Sequence, residues 1–146
     1  RDKTTAGRAE ALASERLEKA KTKPGEVATS IVLAAIEAGR VDLHVPHLWI
    51  YELGNLLLMA HRRNRVTAPQ LAEAEATYAA VRCAFHDQTD AVCRHRIVHM
   101  AQGHGLTAYD AAYLELADRL RAPLLTEDTL LLKAARNEKV GTVLEI

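Results

Sequence analysis

The chain is poor in cysteine, aromatic residues and net charge, and each shortage excludes something. Two cysteines, Cys83 and Cys93, are too few for a disulfide framework. They favour a reducing, cytoplasmic setting. Only 4% of residues are aromatic, with one Phe and one Trp, so large rings do not dominate the core. Nineteen basic residues balance nineteen acidic ones. Any nucleic-acid footprint must therefore be local rather than global. No apolar run approaches the roughly 18 residues of a membrane span, and no signal peptide is visible. No G-x-x-x-x-G-K-[ST] phosphate loop occurs, which weighs against a nucleotide hydrolase or small phosphatase on a doubly wound sheet. What is abundant is Ala and Leu, within an apolar fraction of 49% over 146 residues. That is enough for one domain of helices packed on a small sheet.

The hydrophobic periodicity divides the chain. Residues 5–21 are rich in Ala, Glu, Lys and Arg, carry only Leu12 and Leu17 as large apolar side chains, and read as a solvated helix. Lys23-Pro24-Gly25 breaks it. The pattern then predicts a helix over 26–38 with Gly39 past its end, and a strand over 41–45 ended by Pro46. A helix over 47–63 follows, and then one over 68–84 capped by Thr67. A weak strand is expected at 85–88 and a helix over 89–103, ended at Gly103 or Gly105. Helices over 108–121 and 128–138 alternate with strands over 122–126 and 141–145. The organisation is a helical segment at 1–25 followed by an α/β domain over 26–146, whose alternation favours a parallel sheet.

Three acids stand out. Glu52 shares a helical stripe with Trp49, Leu56 and Met59. A carboxylate in an apolar stripe is costly unless it is paired or lies at the stripe's edge. Asp110 lies at the third position of a helix opened by Thr107, where it can serve as the acid of a capping box. Asp128 follows Pro123-Leu-Leu-Thr126 and can cap the next helix. Capping and metal ligation are compatible, because a carboxylate has two oxygens. Carboxylates near strand ends and helix starts suit Mg²⁺ or Mn²⁺, which take hard oxygen ligands and promote phosphoryl chemistry. His95 and His99 have helical metal-ligand spacing with Cys93 nearby, but an ordinary amphipathic helix accounts for them better than a zinc site. His61-Arg62-Arg63-Asn-Arg65 is the one basic cluster. It is either a solvated helix end or a contact for RNA phosphates or an acidic partner. Tyr109 and Tyr113 flank Asp110 and read as packing residues.

Tyr51-Glu52-Leu-Gly-Asn55, His104-Gly-Leu-Thr-Ala-Tyr-Asp110-Ala-Ala-Tyr113 and Leu125-Thr126-Glu-Asp128, in that order, resemble the acidic motifs of the PIN-domain family. Within it the chain is most similar to the VapC-like toxins of toxin–antitoxin pairs. Gly141-Thr-Val-Leu144 resembles the family's closing strand. The resemblance spans about residues 26–146. It implies a three-layer α/β/α sandwich around a central parallel sheet and an Mg²⁺- or Mn²⁺-dependent endoribonuclease held inactive by a cognate antitoxin. By the same resemblance, Glu52, Asp110 and Asp128 hold the metal, Thr126 and Asn55 support them, and Arg62, Arg63 and Arg65 contact RNA or the partner. A homodimer is also implied, and the leucines at 56–58 would serve it. The family's opening strand, which carries a first acid, is not evident: Asp2, Glu10 and Glu15 have polar or helical neighbours. The expectation is that this strand precedes Arg1. The alternative is a degenerate, non-catalytic PIN-like module that binds a protein or RNA.

Overall fold

The structure is a computed structural model that describes residues 34–143. The helix expected over 5–21, the break at 23–25, the first turns of the 26–38 helix and the end of the 141–145 strand lie outside the described residues. Residues 34–37 are helical, and Gly39, at φ +67°, turns the chain out of that helix.

Strand β1 (Leu43–Pro46) comes next, with Val45 and Pro46 buried. Helix α1 (Leu48–Arg62) and helix α2 (Ala68–Ala79) follow. Thr67 opens α2 through a full capping box: Gln70 N–H donates to its hydroxyl at 3.3 Å and Thr67 N–H donates to the Gln70 side chain at 2.8 Å. The helix ends at Ala79, short of the expected residue 84, because the chain from Val81 turns to extended structure. That gives β2 (Cys83–His86), two residues earlier than the expected 85–88. Asp87 sets the limit: its carboxylate accepts from Thr89 N–H at 3.0 Å and bends the chain there. β1 and β2 pair in parallel, Leu43 opposite Cys83 and Pro46 opposite His86.

Helix α3 (Ala91–His104) starts at Asp90, which accepts from the N–H groups of Val92 and Cys93 at 2.9 and 3.0 Å. Gly105, in the left-handed region at φ +65°, ends it. Helix α4 (Ala108–Leu120) and helix α5 (Thr129–Asn137) complete the described chain. The strands expected at 122–126 and 141–145 shrink to one parallel bridge between Leu124 and Thr142. Leu124 N–H donates to Gly141 O at 2.8 Å, and Val143 N–H to Leu124 O at 3.1 Å. Pro123 has no N–H for a ladder, and Thr126 accepts from Asp128 N–H at 3.1 Å instead.

The result is a mixed α/β domain with a two-stranded parallel sheet. Its core lies among the last three helices, from Met100, Ala111, Leu114, Leu124, Leu131 and Val140 with the small residues Ala117, Ala134 and Ala135. Burying each of the larger side chains contributes roughly 2 kcal/mol, and the alanines let helix backbones approach closely. By contrast α1 and α2 contain no buried residue. No helix among the described residues is long and apolar enough to cross a membrane.

Candidate functional site

Glu52 is exposed on α1, and Asp110 lies in the first turn of α4. Tyr113 hydrogen-bonds the first and shares a helix face with the second. It lies one turn beyond Asp110, so both side chains leave α4 on one face. Its hydroxyl donates to Glu52 Oε2 at 2.5 Å. Burial, that hydrogen bond and the negative charges of Glu52 and Asp110 together push the phenol far above its usual range. Tyr113 is therefore a fixed neutral donor.

Asp110 is freer than a capping box would leave it. Thr107 does cap α4, accepting from Asp110 N–H at 3.1 Å, but the reciprocal bond from the Asp110 carboxylate to Thr107 is absent. Among the described residues its carboxylate accepts no hydrogen bond, and it lies at the positive end of α4. Asp128 is used differently: it is the N-cap of α5, and its Oδ1 accepts from Leu131 N–H at 2.8 Å. Thr126 braces Asp128 through the backbone bond already described. Asn55 is exposed on α1, one turn from Glu52. Arg62, Arg63 and Arg65 are all exposed at the end of α1 and the loop after it, where positive charge is favourable.

Among the described residues, no three His, Cys, Asp or Glu side chains gather as a group able to hold a metal. The pair is nonetheless a chemically suitable donor set. Mg²⁺ is commonly held by one or two carboxylates, its remaining positions filled by waters and substrate phosphate. Glu52 and Asp110 supply oxygen donors of that kind, and one Glu52 oxygen is hydrogen-bonded to Tyr113. The His95 and His99 rings stack with centroids 6.2 Å apart, but Cys93 is buried on the other side of α3, its Sγ 3.7 Å from Glu115. These groups do not converge.

An apolar groove of about 440 Å³ is lined by β1, by residues 122–125 with Val143, and by Leu116, Ala117 and Leu120 of α4. Tyr113 lines it too, with its ring in the groove and its hydroxyl on Glu52. A second hollow of about 470 Å³, rimmed by Asp118, Arg121 and Lys139, lies away from the acids.

The periodicity did not single out Glu115, the most buried charge in the domain at 0% exposure. Its Oε2 accepts from Gln88 Nε2 at 2.6 Å and its Oε1 from Arg119 Nε at 3.0 Å. Arg96 lies 3.9 Å away and is also paired with Asp118. The spacing Glu115–Arg119 is the available signal, since i,i+4 pairs share a helix face. This network locks α3, α4 and the loop before α3 together and so fixes the direction in which α4 presents Asp110 and Tyr113. Across the sheet, His44 Nδ1 and His86 Nε2 lie 2.8 Å apart. One ring must donate and the other accept.

No family model, no curated protein and no solved structure matches the chain.

Proposed function

We propose that this protein is a divalent-metal-dependent endoribonuclease, with Glu52 and Asp110 as the metal-holding pair, and that it acts as the toxin of a toxin–antitoxin system. The reading is supported by the hydrogen bond to Glu52 from Tyr113, which lies one turn from Asp110 on the same face of α4. A bound Mg²⁺ or Mn²⁺ would supply Lewis-acid polarisation of a phosphate and a more acidic water. The residues' own part is to hold two hard oxygens together. Tyr113 turns one Glu52 oxygen away from the pair, and Asp110 keeps its carboxylate unengaged at a helix start. Asp128, braced by Thr126, is the third acid of the expected set, with Asn55 in support, but among the described residues the three do not gather as one group. Arg62, Arg63 and Arg65 offer exposed positive charge for RNA phosphates or for an acidic segment of a cognate antitoxin. Leu56 and Leu58, exposed on α1, are the proposed homodimer contact.

The finer architecture belongs to the same proposal. In a three-layer α/β/α sandwich, a further central strand would occupy the apolar groove between β1 and residues 122–125. The support is that β1 and residues 122–125 both line this apolar groove, where a further strand could pair with backbone groups. The competing reading is a non-catalytic PIN-like module. It is favoured by the lack of a three-acid group among the described residues.

One assay separates them. Purified protein should cleave single-stranded RNA with Mg²⁺ or Mn²⁺, lose cleavage with chelator, and lose it in Glu52→Gln and Asp110→Asn while both variants stay folded. Intact RNA with wild-type protein, or unchanged cleavage in both variants, would sink the nuclease reading.

A further inference from the structure

We infer that the outer face of α3 is a zinc-dependent contact between two copies of this chain, in which His95 and His99 of each copy hold one Zn²⁺ ion. Three observations on this helix converge. The first is the histidine pair. His95 and His99 stand one turn apart and are both exposed. Their rings lie within 13° of parallel, with centroids 6.2 Å apart. A small rotation about their side-chain bonds, unhindered on an exposed face, turns both toward one ion. Imidazole is a good zinc ligand, but a closed tetrahedral site needs four ligands. No third His, Cys, Asp or Glu joins the pair among the described residues. One chain therefore carries half a site, and a second copy related by a two-fold axis supplies the other half.

The second observation is the lack of charge. Buried Cys93 and Met100 fix the inner side of α3, so the outer side should be polar and solvated. Yet Val92 and Val98 are 68% and 61% exposed, and Arg94 is the only Asp, Glu, Lys or Arg at an exposed position of this helix. A surface nearly free of like charges can meet its own copy without repulsion. The third is Gly103, where an added Cβ would meet nothing within 4 Å. Glycine weakens a helix, and packing inside the domain gives no reason for it. Its missing side chain lets another backbone come close at that end of the face.

Size makes the ion necessary. One face of a helix about 20 Å long and about 10 Å wide covers on the order of a few hundred Å², against the roughly 800 Å² per partner of a stable interface. The apolar contact alone is too small to hold two copies, so association should switch on with zinc. Leu56 and Leu58 lie on another helix, and a contact through them would be the same with and without the ion.

The test takes the purified chain, strips it with EDTA, adds Zn²⁺, and follows mass by sedimentation velocity and stoichiometry by calorimetry. Zinc should double the mass found in EDTA, at one ion per two chains. His95→Gln and His99→Gln, both at exposed positions, should keep the wild-type urea midpoint and lose the doubling. Unchanged mass with zinc overturns the proposal. One ion per chain without a change in mass means an isolated chelate and also overturns it. Doubling that persists in both variants places the zinc elsewhere, with the same consequence.

Discussion

Replacing Glu115 with alanine should be among the most damaging single changes in this domain. The side chain is fully buried and accepts from Arg119 Nε at 3.0 Å and Gln88 Nε2 at 2.6 Å. A hydrogen bond to a charged group is worth roughly 1.5–3 kcal/mol and a neutral one about 1 kcal/mol. Two features moderate the loss. Arg119 keeps 32% of its side chain exposed, so its guanidinium regains water when Glu115 is gone. Gln88 Nε2 also donates to Ala112 O at 2.8 Å and is not orphaned. The vacated volume adds a cavity cost in the other direction. The sum is a destabilisation of about 3 kcal/mol, below the upper end for breaking a buried pair. In a domain of this size that lowers Tm by about 10 °C. Glu115→Gln should cost about half as much. An amide has one acceptor oxygen where the carboxylate has two, so Arg119 or Gln88 would face an N–H. Urea unfolding followed by circular dichroism measures both. If Glu115→Ala unfolds within about 1 kcal/mol of wild type, the network is not what locks α3 to α4, and the reasoning fails.

Other perturbations test separate parts of the structure. The Asp90 hydrogen bond, burial and the nearby Glu115 charge push the Cys93 thiol up to about 11, so it should resist a thiol reagent in the folded protein and react only on unfolding. Mass spectrometry after timed labelling checks this, and rapid labelling of Cys93 under native conditions would contradict it. Burial, then the charges of His44 and Arg119, lowers the His86 pKa from its ordinary 6.5. The unfolded chain then binds more protons than the folded one below about pH 6.5, so stability should rise with pH through that window and level off above it. His86→Gln should flatten the rise, as read from urea midpoints across the range. Thr142 Oγ1 is buried without a hydrogen-bond partner among the described residues, so Thr142→Val should stabilise the fold by about 1 kcal/mol in the same measurement. A loss of stability there would mean that the hydroxyl has a partner after all.

The helices were the most legible part of the fold, because their signals are local. Thr67, Thr107 and Asp128 announce their helices by cap chemistry, and each does cap. Gly105 announces an end. Strands were harder to read, because a strand is defined by its partner. The pattern at 122–126 has the right apolar character, yet Pro123 and the Thr126–Asp128 turn leave only Leu124 to pair. β2 was displaced by two residues because an Asp87–Thr89 contact sets its limit. At the candidate site, the stripe around Glu52 pointed to a buried carboxylate in need of a partner, but Glu52, Leu56 and Met59 are exposed, and Glu52 still takes a partner. That partner, Tyr113, is 61 residues away and reads as packing from its own neighbourhood. Glu115 was hard to read for a related reason: one acid among Leu114, Leu116 and Ala117 resembles the exposed edge of a helix until Gln88, Cys93 and Arg96 from other elements are in place. Cap residues are visible in sequence, whereas a partner far along the chain, such as Tyr113 for Glu52, is not.

The central claim is that Glu52 and Asp110 form one cation site. Crystals soaked in Mn²⁺ and measured for anomalous scattering test it most directly. The account predicts a single strong peak within coordination distance of both carboxylates, at roughly 2.0–2.2 Å, that disappears in Asp110→Asn. No peak between the two acids at saturating Mn²⁺, or a peak that persists in Asp110→Asn, would contradict it.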